Sequence, residues 1–327
     1  MPHIFTYIVH KAGVVDDSVA ELLAAAKMID ATASPTAILT GHGADLDAAC
    51  SSVRSFYAEI WKVSNEAFTY PNAELVRQAL VAILPRNSIL LLPHDHFGID
   101  LSPGLSVKLN STFVPDVLAI DPIEGESLSL VRQEFGGQVS VHVHCDLSMG
   151  AVINIRPGAF KTDQIAVTSG VVVDKSSEVG TLTARRRYVE TIVAEAGDVD
   201  ITKHNVLVSI GRGVQEKDNV ALAEELASAL GAAVSCSRPV VDAKWMEKSR
   251  QVGSSGKTVN PKVYLACGIS GAFQHLAGLK GSPFIIAINK NPKAPIFQVA
   301  DVGIVDDVLE FLPELTSRVR ELRGAAA

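Results

Sequence analysis

Residues 267–280, CGISGAFQHLAGLK, decide how this chain is read. They follow the apolar run KVYLA at 262–266, which has the character of a buried strand, and they open into a short helix. Gly268 and Gly271, with the small Ser270 and Ala272, let backbone come close to a ligand because no bulky side chain holds it off. A strand turning through glycines into a helix offers free N–H groups and a positive dipole end, the usual seat for a diphosphate. The pattern is not G-x-G-x-x-G, and one loose glycine loop is weak. Its weight comes from its neighbours.

Outward from that stretch, an α/β rhythm predicts strands at 204–210, 232–236, 284–289 and 302–305. Helices are expected at 216–230, closed by Gly231, and at 307–322. The loops after these strands, at 211–213, 237–238, 251–256, 268–275 and 289–292, should gather at the carboxyl edge of a doubly wound sheet, where ligands bind. They offer two arginines, several hydroxyls, a glutamine, a histidine and an asparagine, a set suited to a large anionic ligand such as a dinucleotide. No Ser/His/Asp set, H-E-x-x-H or cysteine cluster accompanies them. A bound cofactor would have to do the chemistry.

The first half carries the same rhythm. Strands are expected at 4–9, 36–39, 59–63 and 88–92, with helices at 16–31, from 41 onward, at 71–84 and within 97–109. After residue 117 come successive strands at 128–133, 138–144 and 151–155, with a turn at Gly136-Gly137, read as additions at one edge of the sheet. Residues 181–200 read as a connector. The fold class is therefore α/β: two doubly wound parallel-sheet domains, at 1–197 and 198–327, the second Rossmann-like.

Bulk properties narrow the function. The 327 residues are 47% hydrophobic and 20% charged, a globular composition, and the net charge of −7 argues against a nucleic-acid partner. Arg185-Arg186-Arg187 is too short a basic run to change that, and reads as solvated surface or an inter-domain salt bridge. The start, MPHIFTYIVHKAG, lacks the features of a signal peptide, and no apolar run reaches the ~20 residues of a membrane span. Four scattered cysteines fit reduced thiols and a cytoplasmic setting. His142/His144 and His94/His96 are each too few for a metal site, so no metal is expected.

Several motifs then converge. SIGRG (209–213), SRPVVDAKW (237–245), RQVGSSGKTVNPKVY (250–264), CGISGAFQHLAGLKG (267–281) and AINKNPKAPIFQVADVGIVDD (287–307) closely resemble the alpha subunit of electron transfer flavoproteins. The likeness covers the whole second domain and continues more weakly through LLPHDHFG (91–98) and IRPGAF (155–160) in the first. It implies FAD in the second domain and a heterodimer with a beta subunit. It also implies electrons taken from flavin-dependent dehydrogenases and passed to an acceptor such as a membrane quinone oxidoreductase. The chain would thus be an electron carrier rather than an enzyme with its own substrate.

By matched position, the resemblance implies FAD contacts from four groups of residues: Arg212, Ser237 and Arg238; Gln251, Val252, Gly253, Ser254 and Ser255; Gly268, Ser270, Gly271, Ala272, Phe273, Gln274 and His275; and Asn289, Asp307 and Val308. Three of these would tune the flavin. Arg238 would place positive charge near the ring, Ser255 would donate a hydrogen bond at the N5 region, and His275 would donate one at the pyrimidine carbonyl. In isolation, the arginines would read as surface residues and His275 as a core histidine.

Two departures stand out. Many relatives carry Thr where Ser255 stands, so the hydroxyl is kept but with freer rotamers. Lys244 occupies a position that is often Gly. Alternatives are an electron-bifurcating form, whose deciding site would lie on the beta subunit, and a stand-alone nicotinamide-dependent dehydrogenase. The latter would need a general acid/base and a G-x-G-x-x-G loop, neither of which is evident.

Overall fold

A computed structural model of the chain describes residues 2–135, 139–160, 169–190, 199–281 and 283–324. It divides into two compact units, Met1–Glu190 and Thr191–Ala327. The boundary expected at Gly197 and the turn at Gly136-Gly137 lie outside the described residues.

The first unit opens with β1 (Ile4–Tyr7), the short pair β2 (His10–Lys11) and β3 (Val14–Val15), and α1 (Ser18–Ile29). Next come β4 (Thr36–Gly41), α2 (Gly43–Val53), β5 (Glu59–Ser64), α3 (Ala73–Ile83), β6 (Ile89–Pro93) and α4 (His96–Leu109). Four strands follow directly: β7 (Thr112–Ile120), β8 (Ser127–Glu134), β9 (Val139–Asp146) and β10 (Ala151–Ile155). β11 (Val171–Asp174) completes a nine-stranded sheet in the order β11-β5-β4-β1-β6-β10-β7-β8-β9. Successive residues of β1 face opposite sides, so Ile4 joins the core under α1 and α2 while Phe5 joins the core under α3 and α4.

The sheet is parallel except where β8 pairs antiparallel with β7 and β9. The edge expected from the sequence therefore fits β8 and β9 but not β10. β10 lies inside the sheet between β6 and β7, because all five residues of AVINI are buried and need cover on both faces. β7 was not expected at all. It contains Pro115, which cannot donate to a ladder, and the strand accommodates it with register shifts against both neighbours and a left-handed Asp116 at φ 60°. The unforeseen β11 is only four residues long, at the opposite edge.

Asp116 at that irregularity receives two hydrogen bonds from Arg156, at 2.8 and 2.6 Å, and Arg156 also donates to Gln133 at 2.8 Å. One guanidinium thus ties β7, β8 and the end of β10. Burial pushes the Asp116 carboxyl up, but Arg156 more than cancels this and holds it below the ordinary carboxylate range.

The connector also differs from expectation over its described first part. Glu74 accepts the backbone N–H groups of Arg185 and Arg186, Gln78 exchanges two hydrogen bonds with Thr183, and the Arg186 guanidinium clasps Asp100. Tyr188 stacks on Tyr70 with ring centroids 4.2 Å apart. Residues 183–188 are therefore fastened to the first unit by polar and aromatic contacts, which hydropathy alone does not reveal. Arg186 pairs within that unit.

The second unit runs β12 (Val206–Ile210), α5 (Val220–Leu230), β13 (Ala233–Cys236), α6 (Arg238–Asp242), β14 (Val263–Cys267), α7 (Phe273–Leu276), β15 (Phe284–Ile288), β16 (Val302–Ile304) and α8 (Val308–Gly324). Its five strands are all parallel, in the order β13-β12-β14-β15-β16. Gly231 closes α5 at φ 65°, as its position suggested. α5 and α8 pack on one face, with Leu226 and Leu312 against Val208 and Ile210. The other face is covered by loops, through Val252, Val259, Ile269 and Ile296. Among the described residues, no helix is long and apolar enough to cross a membrane.

Candidate functional site

In the second unit the chain leaves β12 toward β13 on one side and returns through β14 on the other. That reversal opens a crevice at the carboxyl ends of the strands, the place where such sheets bind ligands. Three glycines pack together at its base, and two of them, Gly213 and Gly268, line it. A Cβ on Gly211 would lie 2.2 Å from the Gly268 carbonyl oxygen, and one on Gly213 would lie 2.5 Å from the Gly268 Cα. Gly268 itself has φ +66° and packs back on Gly213. Only glycine lets two backbones meet this closely.

Above that floor lies a cavity of ≈ 530 Å³. Beyond β12 stands Arg212; after β13 come Ser237 and Arg238; the loop before β14 brings Gln251 to Ser255; beyond β14 lie Gly268, Ser270, Ala272, Gln274 and His275; and after β15 comes Asn289. These fourteen of the sequence candidates, Val252, Gly253 and Ser254 included, line one space. Gly213, Pro239 and Ile269 line it too without having been singled out. Each sits beside a chosen residue inside a quoted motif, so contiguity was the available signal.

Four candidates lie off the cavity. Val308 is buried in the core with α5 and α8, because it faces inward on the first turn of α8. Asp307 accepts the Leu309 N–H at 3.0 Å at the start of α8, and its other oxygen stands 3.8 Å from Lys290. Phe273 is 45% exposed. Gly271, at φ +80°, makes room for the backbone of Ile296.

The helix read after the glycine turn is a single four-residue turn, Phe273–Leu276. Too few peptide dipoles align there for a strong macrodipole, so anion binding has to come from loop N–H groups and arginines. The loops are fastened to each other by backbone. Ser254 N–H donates to the Gln274 carbonyl at 2.7 Å, and Asn289 donates to the Ile269 carbonyl at 2.9 Å while accepting the Asn291 N–H. The Arg238 side chain is 68% exposed, and its nearest charge is Asp242 at 3.4 Å.

His275 is buried, with Nε2 2.8 Å from the Tyr264 hydroxyl, which also donates to Ser209 at 2.6 Å. One imidazole nitrogen is thereby spent inside the protein, and Nδ1 is itself buried. Burial pushes the imidazole down to about 4, with the Val252 carbonyl opposing. The ring is neutral at physiological pH. An unfolded chain gains this proton near the ordinary histidine value, while the folded one resists until about pH 4. Stability should therefore fall as pH drops through that window, by roughly 3 kcal/mol in all. Denaturant melts of wild type and His275→Gln across that range should differ in slope; parallel curves would contradict the assignment.

Burial also pushes the Cys236 and Cys267 thiols up to about 12, so neither is a nucleophile near neutrality. Among the described residues, no three His, Cys, Asp or Glu side chains come together to hold a metal ion. Lys244, where the resemblance leads one to expect glycine, has φ 59°. Its backbone is left-handed, which explains why glycine suits that place.

These features fit FAD: a floor of closely packed glycine backbone, two arginines, and a lining of hydroxyl, amide and imidazole groups. The family comparison agrees. Residues 200–280 match the electron transfer flavoprotein FAD-binding domain, and residues 4–184 match the electron transfer flavoprotein domain. A probable mitochondrial electron transfer flavoprotein subunit alpha of Cryptococcus neoformans var. grubii is 33% identical over 322 residues, 96% of this chain and 91% of that protein. Protein FixB of Clostridium saccharobutylicum is 39% identical over 238 residues, 72% of this chain and 71% of that protein. The electron transfer flavoprotein subunit alpha of Methylophilus methylotrophus is 39% identical over 233 residues, 71% and 72% of the two chains. The chain belongs to the electron transfer flavoprotein alpha-subunit family, the FAD-binding electron carriers whose counterpart is a beta subunit.

Proposed function

We propose that the cavity of the second unit holds FAD and that the chain, paired with a beta subunit, carries electrons from flavin-dependent dehydrogenases to a downstream acceptor such as a membrane quinone oxidoreductase. The observation that supports this best is the Gly211–Gly213–Gly268 packing beside a cavity lined by Arg212, Arg238, Ser255 and His275. FAD supplies the electron chemistry when bound; the protein's part is to hold it and set its potential. The first unit, through residue 197 in this reading, is the framework shared with the beta subunit, and the carrier works in the cytoplasm.

Within the site, Arg238 favours negative charge on the ring, and among the described residues its exposed guanidinium has the weak Asp242 pair to break before turning inward. Ser255 directs a hydroxyl at the ring. His275, held at Nε2 by Tyr264, lines the same cavity and is assigned to the pyrimidine end. Arg238→Ala should lower the reduction potential of the bound flavin while FAD remains bound, as read by spectroelectrochemical titration of the purified complex. A potential equal to wild type would remove that role from Arg238.

A further inference from the structure

We propose that Gln251 is a positioning residue that aims the Ser255 hydroxyl into the cavity by occupying its oxygen, a reading that rests on the flavin assignment above. Gln251 is 3% exposed, and its Nε2 donates to Ser255 Oγ at 2.9 Å. A serine hydroxyl has one hydrogen to give and two lone pairs to receive with. One lone pair is taken by Gln251, and among the described residues the hydroxyl hydrogen finds no acceptor. That hydrogen is free for a ligand in the cavity that both residues line.

The surrounding backbone shows that the arrangement is built. Gln251 receives the Lys257 N–H on its carbonyl at 2.7 Å, so the turn between them closes over its side chain. A Cβ on Gly256 would lie 2.4 Å from the Gln251 carbonyl oxygen and 2.9 Å from its Cγ, so glycine is required for the chain to cross there. A serine without the β-methyl of threonine has freer rotamers. The Gln251 amide supplies the restraint that the methyl would otherwise give.

The test is a double-mutant cycle on the FAD-loaded complex, read as flavin reduction potential. Gln251→Met keeps the length and burial of the side chain but removes the amide donor. It should lower the potential in the Ser255 background and have no effect in the Ser255→Ala background. Ser255→Thr added to Gln251→Met should restore part of the loss, because its rotamer is held by the β-branch. Equal shifts in both backgrounds, or none in either, would overturn the proposal. Should Gln251→Met not fold, Gln251→Asn, whose amide is too short to reach Ser255, gives the same comparison. A wild-type protein that takes up no FAD would sink the flavin reading itself, an outcome separate from any difference among flavin-bearing variants.

Discussion

Gly211→Ala is expected to lose FAD and to destabilise the second unit by about 3 kcal/mol. The added Cβ would stand 2.2 Å from the Gly268 carbonyl oxygen and 2.8 Å from the Ile269 Cα. Both are backbone atoms of the neighbouring β14 loop, so no side chain can swing aside. Relief would require the ends of β12 and β14 to part, which would reshape the floor of the cavity. Gly180→Ala is the control, because a Cβ there meets nothing within 4 Å. Flavin per chain and thermal melting would be measured for both. A Gly211→Ala protein with full flavin and an unchanged melt would contradict the glycine-floor account.

Arg156→Met should cost the first unit about 3 kcal/mol, because it takes both direct hydrogen bonds of the guanidinium from a half-buried Asp116 carboxylate and leaves His94, 3.9 Å away, as its neighbour. The Arg156 and Asp116 side chains are only 21% and 19% exposed, so solvent screens the pair weakly. Asp116 is held below the ordinary carboxylate range, so its contribution is present above that range and fades as pH falls through the folded value. In Arg156→Met this acid-dependent component should shrink, and Asp116→Asn added to it should recover part of the stability. Urea melts at neutral and acidic pH would show both effects. A change within ~0.5 kcal/mol would mark the pair as surface decoration.

The fold was legible where hydropathy and punctuation agreed. The alternation of 4–109, the Gly231 cap and the strands around 262–267 all stand as the residues suggested. Failures occurred where local pattern and tertiary position part company. β7 hid behind Pro115, since nothing local shows that an irregularity would absorb the missing N–H. AVINI was read as a strand but assigned to an edge, because strand order depends on contacts far along the chain. Residues 183–188 read from the sequence as plain connector, because their anchors are the polar side chains of Glu74, Gln78 and Asp100.

The site follows the same division. Loops after parallel strands must share an edge, so the cavity lining could be collected from the motifs. Which nitrogen of His275 is spent, and on what, depended on Tyr264 reaching it from β14. That Gln251 holds Ser255 could not be read either, since two polar residues four apart in a loop carry no geometry until the turn at Gly256 is known.

The central claim is that the cavity on the glycine floor is the FAD seat of an electron carrier. The most direct measurement is a visible absorption spectrum of the purified chain with its beta subunit, followed by identification and quantification of the released cofactor, for wild type and Gly211→Ala side by side. The account predicts a flavin spectrum and one FAD bound by this chain in wild type, both lost in Gly211→Ala. A colourless wild-type complex that takes up no added FAD, or a variant that keeps its flavin in full, would contradict it.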